Sequence, residues 1–71
     1  MTLMMAPKEK RVTVHKITGK DDTKKFLAGL GFVEGAQVSV VNELQGNVII
    51  NVKDSRIALG KQLAQRIMVE E

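Results

Sequence analysis

Two β-rich runs, Gln37–Leu44 ("QVSVVNEL") and Asn47–Val52 ("NVIINV"), meet at Gln45-Gly46-Asn47, and so short a link folds them into an antiparallel hairpin. Within the second run Val48, Ile50 and Val52 alternate with Ile49, Asn51 and Lys53, which assigns the first set to a core face. A β framework is therefore written into the middle of the chain. The flanking sequence must supply whatever covers its apolar side.

Upstream, "RVTVHKI" (Arg11–Ile17) reads as a strand with Val12 and Val14 on one face and Thr13 and His15 on the other. Ile17 falls out of phase, which predicts a bulge or bend at the strand end. Asp21 or Asp22 can N-cap a short helix through "TKKFLAGL", whose apolar face is Phe26, Leu27 and Leu30. No capping box forms, because Lys24 and Lys25 stand where Glu or Gln is needed. Gly31 ends the helix in left-handed geometry, Gly35 turns the chain into the next strand, and Gly29 is expected to permit close packing beneath them. Downstream, Asp54-Ser55 makes a second tight turn into "RIAL"; "GKQLAQ" reads as one helical turn and Arg66–Val69 as a last short strand.

These elements predict a mainly β fold: a small five-stranded barrel, with one short α-helix between strands 1 and 2 and a helical turn before the last strand. The last strand pairs with the first to close the barrel and remove its edges. The expected core is Val12, Val14, Phe26, Leu27, Leu30, Val38, Val40, Val48, Ile50, Val52, Ile57, Leu59, Leu63 and Ile67. At 71 residues the chain is one domain, 1–71, with a partly ordered N-terminal segment at 1–9. Gly31, Gly35, Gly46 and Gly60 are its turn glycines.

The same glycines invite a nucleotide reading, since Gly29, Gly31 and Gly35 form a G-x-G-x-x-x-G array. The order of elements argues against it. A dinucleotide fingerprint follows a strand and opens a helix, so that phosphate meets a helix N-terminus. Here the glycines follow a helix, whose C-terminus carries partial negative charge. Ala36-Gln37 also stands where a phosphate loop needs Lys-Ser or Lys-Thr. Catalysis has as little to build on. His15 is the single histidine, and nothing groups it with Ser39 or Ser55 and an acid. With no cysteine and no second histidine, neither a disulfide nor a specific transition-metal site is expected, and no cofactor.

Seven of the eleven basic side chains lie in residues 1–25, against three acids, so the net charge of +3 is concentrated at one end. A barrel that binds nucleic acid is the alternative reading this raises. Single-strand binders interleave aromatics with cations, and Phe26 and Phe32 are the only aromatics here, so specific readout is not expected. No segment approaches the roughly 20 apolar residues that cross a bilayer, and the N-terminus lacks the pattern of a signal peptide. A membrane role would come through a partner. Met4, Met5, Phe32, Val33 and Met68 read equally as an exposed patch or as buried terminal residues.

The pattern Leu27-x-x-Leu30-Gly31-Phe32-x-x-Gly35-x-x-Val38-x-Val40 is followed by Ile50 and Val52, then Arg56-Ile57-Ala58-Leu59-Gly60, Leu63-Ala64 and Ile67-x-Val69. Over roughly residues 10–70 it resembles the FeoA family, ferrous iron transport protein A and its relatives. The chain departs from that pattern at Glu34, where the family often has Pro, at Asp54, where it often has Gly, and at Lys8 in Pro7-Lys8-Glu9. The resemblance implies an SH3-like barrel and a cytoplasmic accessory of bacterial ferrous iron uptake, an adaptor rather than an enzyme. The partner it implies is the membrane permease with a cytosolic GTP-binding domain, which would recruit the chain to the inner face of the membrane. The same barrel occurs behind the DNA-binding domains of metal-dependent repressors. The contact surface expected for the permease is the helix and its flanking turn, Lys24, Lys25, Ala28 and Phe32. A homo-oligomer and direct carriage of Fe(II) stay open as further readings.

Overall fold

A computed structural model describes all of residues 1–71. The hairpin at its centre joins β2 (Gln37–Leu44) to β3 (Asn47–Val52), with Leu44 paired to Asn47 across Gln45-Gly46. Both loop residues take positive φ, 50° and 82°, which is the requirement of a type I′ turn whose twist matches that of the strands. β1 (Arg11–Ile17) pairs with β2, β4 (Ser55–Gly60) pairs with β3, and β5 (Ile67–Glu70) pairs with the free side of β1. All pairs are antiparallel and the order is β4-β3-β2-β1-β5. The expected bulge lies within β1, between Val14 and Lys16, rather than at its end.

The last strand does pair with the first, but the sheet does not close. β4 and β5 remain its two edges, because the single helical turn α2 (Lys61–Ala64) joins them and holds them apart. Side chains fill the opening instead. α2 packs on β3, β4 and a 3-10 turn at Leu3–Met5, and that turn packs on β5. Leu3 and Ala64 are both fully buried.

The N-terminal segment is thus part of the architecture. Thr2 bridges Met68 on the edge of β5, the Val69 N–H donates to the Met1 carbonyl, and Lys8 bridges Val40 in parallel. Sequence periodicity is silent over so short an irregular stretch, and Leu3 was not among the expected core residues for that reason.

Of the expected core, Val12, Val14, Leu27, Val38, Val40, Val48, Ile50, Val52, Leu59 and Ile67 are buried. Leu30, Ile57 and Leu63 are half-buried against them. Phe26 is a correction: it is 55% exposed. Its place is taken by Phe32, fully buried, together with Leu3, Ala64 and Val69.

Two glycines also differ from expectation. Gly60 has φ −62°, an angle open to most residues, and serves as the N-cap of α2. Gly29 has nothing within 4 Å of where a Cβ would stand, so no packing demand falls on it. The turn between β3 and β4 places Lys53, not Asp54, at positive φ (56°).

Candidate functional site

The helix α1 (Asp21–Gly29) is set against the barrel by one fully buried side chain, Leu27. Lys20 is its N-cap and no side chain caps it; Asp21 and Asp22 lie inside the first turn, where carboxylates still favour the positive end of the helix dipole. Its C-terminus is a complete Schellman motif. The Phe32 N–H donates to the Leu27 carbonyl at 3.0 Å and the Gly31 N–H to that of Ala28 at 3.0 Å. Gly31 has φ +107°, and this reversal carries Phe32 back under Leu27. The hydrophobic contact that accompanies such a motif is the sequence signal that would have placed Phe32 inside.

Burial of Leu27 decides what the helix shows to solvent. At about 100° per residue, the arc away from Leu27 runs Ala28, Asp21, Lys25, Gly29, Asp22, Phe26, with Lys24 on the flank between Leu27 and Ala28. All of them are exposed. Three of the four residues expected at the contact surface, Lys24, Lys25 and Ala28, are exposed and span about 100° of the helix surface. Phe32 is buried, and the exposed aromatic of α1 is Phe26, further round the helix. Gly29 leaves open space beside it, and Val33, 45% exposed, stands just beyond the helix. Of the other apolar candidates Met5 is exposed, whereas Met4 and Met68 are partly covered. The exposed phenyl ring shares this helix surface with charges of both signs, Asp21, Asp22, Lys24 and Lys25, which suits a protein surface that is apolar at its centre and charged at its rim.

Titratable groups elsewhere are arranged in pairs rather than clusters. His15 Nδ1 lies 3.5 Å from Glu70 Oε1, both exposed. No three of the His, Asp and Glu side chains are grouped to hold a metal ion. Lys61 on α2 bonds Glu43 at 2.9 Å, and its own N–H donates to the Gly46 carbonyl, tying the hairpin tip to α2. The Lys61 hydrogen bond, then its charge, and then the charge of Lys8 hold Glu43 below its ordinary value of 4.5. A depressed folded-state pKa contributes stability above the ordinary value, and that contribution is lost as pH falls below 4.5 through the folded value. Lys61→Met is expected to move the Glu43 midpoint upward towards 4.5, read by carboxyl chemical shifts in an NMR titration. An unchanged midpoint would show that the pair is not formed in solution.

The family model described as FeoA domain matches residues 1–71. A relative from Methanocaldococcus jannaschii, described as "Putative Fe(2+) transport protein A", is 36% identical over 69 residues, covering 97% of the chain and 84% of that protein. A crystal structure of an iron uptake regulatory protein, FeoA, superposes with a TM-score of 0.88 at 30% identity, over 97% of the chain and 93% of its own. The FeoA of Stenotrophomonas maltophilia, solved with zinc and described as an SH3 domain protein, gives 0.86 at 28% identity over 99% and 89%. The open five-stranded barrel is thus SH3-like, and with its whole length matched by the family model the chain belongs to the FeoA family.

Proposed function

We propose that the chain is an accessory of ferrous iron transport that acts by binding protein, docking through α1 on the cytosolic GTP-binding domain of the ferrous iron permease. The observation that carries this reading is the exposed surface of α1, a helix on which Phe26 stands 55% exposed and which also shows Lys24 and Lys25 to solvent. A partner would cover this aromatic, which a helix that buries only Leu27 leaves in water. Membership of the family, and the name carried by the relative from M. jannaschii, support ferrous iron transport as the setting. The permease brings the domain to the inner face of the membrane; no helix of its own is long and apolar enough to cross one.

The test is a binding titration against the isolated cytosolic domain of the permease. The wild-type chain is expected to bind, and Phe26→Ala combined with Lys24→Glu and Lys25→Glu to weaken binding by about tenfold or more, as for an aromatic anchor with its charged rim. Circular dichroism and the thermal midpoint should stay at the wild-type values, since all three side chains are exposed. Absence of wild-type association, or a triple variant that binds as well, would end this reading.

A further inference from the structure

The outer face of the sheet carries a second feature that shares no residue with α1. Register aligns Arg11 on β1 with Ser39 on β2, Ser39 with Asn51 on β3, and Asn51 with Arg56 on β4, so one row crosses four strands. Over this row lies an open cavity of about 460 Å³, lined by Arg11, Gln37, Ser39, Asn51 and Lys53, with buried Val38 its only apolar component. Its volume falls in the range of small-molecule sites.

Arg11 and Lys53 line it, and Arg56 stands beside it, bonded to the lining residue Asn51. Arg11, on the outer side of the row, leans inward so that Nη1 meets Gln37 Oε1 at 3.4 Å. Arg56, on the other outer strand, leans the opposite way, with Nε 3.2 Å from Asn51 Oδ1. Each guanidinium therefore stands over a middle strand. Each amide spends its oxygen on an arginine and leaves its NH2 group for an incoming acceptor. No carboxylate answers these cations. The chain's ion pairs are Lys10–Glu71, His15–Glu70 and Lys61–Glu43, and none involves Arg11, Lys53 or Arg56. Three like charges drawn over one row of amides and a hydroxyl repel one another unless an anion joins them.

We propose that this sheet face is a binding site for a small phosphate-bearing anion, held by Arg11, Lys53 and Arg56 with Gln37, Ser39 and Asn51 as neutral donors. Arginine forks match phosphate oxygens. The lining offers no aromatic or apolar wall, so a nucleobase or a peptide anchor finds nothing to stack on or bury, and recognition rests on oxyanion chemistry alone.

Inorganic pyrophosphate is the probe, titrated into the intact chain at low ionic strength and followed by two-dimensional NMR. The expected result is a saturable shift of the Gln37 and Asn51 side-chain NH2 signals that weakens as salt is added. Lys53→Gln with Arg56→Gln, both exposed residues, should weaken it by about tenfold or more. Lys24→Gln with Lys25→Gln should leave it unchanged. A nucleoside diphosphate arm separates the sources of phosphate: equal affinity assigns the free anion, tighter binding at the same resonances assigns a nucleotide's phosphate tail, and both uphold the site. Shifts that do not saturate, or that spread to Lys24 and Lys25, would overturn it. So would a polyglutamate peptide that moves the same signals at lower concentration than pyrophosphate.

Discussion

Gly31→Ala is expected to lower the thermal midpoint of this domain by about 10–30 °C, the shift that about 2–4 kcal/mol produces in a domain this small. Two independent causes combine. Alanine must adopt φ near +107°, where an L side chain is strained whatever the space around it. Its Cβ would also stand 2.8 Å from Val52 Cγ1, and Val52 is buried in the middle of the core with no room to retreat. A calorimetric scan reads the total, and Val52→Ala divides it. The double variant removes the colliding methyl group but keeps the backbone strain, so it should lose less than the two single losses added together. A midpoint within a few degrees of wild type for Gly31→Ala would mean that the helix end is not built as described.

The second large effect separates the two phenylalanines. Phe32→Ala should cost about 3–5 kcal/mol in urea unfolding, because it empties a fully buried site at the helix end. Against the roughly 5–15 kcal/mol that holds a domain together, such a loss is severe. Phe26→Ala should fall within about 0.5 kcal/mol of wild type, since the ring is largely in water and alanine is the better helix former. The reverse order would refute the burial assigned to both rings. The contrast also governs how binding data are read: loss of binding in a Phe32 variant reports a damaged domain, while loss in a Phe26 variant reports a lost contact.

The exchange of those two rings marks where sequence reasoning stopped. Strands were legible because alternation and tight-turn signals are local, and the hairpin at Gln45-Gly46 and β1 through β4 lie where those signals put them. The helix was legible as an element but not in its rotation. Phe26, Leu27 and Leu30 form one apolar face on a wheel, yet α1 presents so little surface to the barrel that only Leu27 is enclosed. How much of a helix face is covered depends on what lies opposite, and no local pattern carries that. The N-terminal 3-10 turn was missed for a related reason: three residues have no periodicity, and Leu3 is buried by α2 and β5, which come from the far end of the chain. Lys24, Lys25 and Ala28 were legible as exposed helix positions, because polar and small side chains on a short helix carry no demand for burial. The basic row across the sheet was not, since Arg11, Lys53 and Arg56 come together only through strand register.

The meeting of Met1 with Val69 has a consequence for how the molecule comes into being. β1 is the first strand to be synthesised, and one whole side of it is answered only by β5, which is the last. A nascent chain can close the β2–β3 hairpin and lay β4 against it while still on the ribosome. Leu3 has no covering element until α2 and β5 emerge, and the free side of β1 has none until residues 67–70 do. Native structure in this domain is therefore completed late, when residues 1–3 and 67–70 find each other.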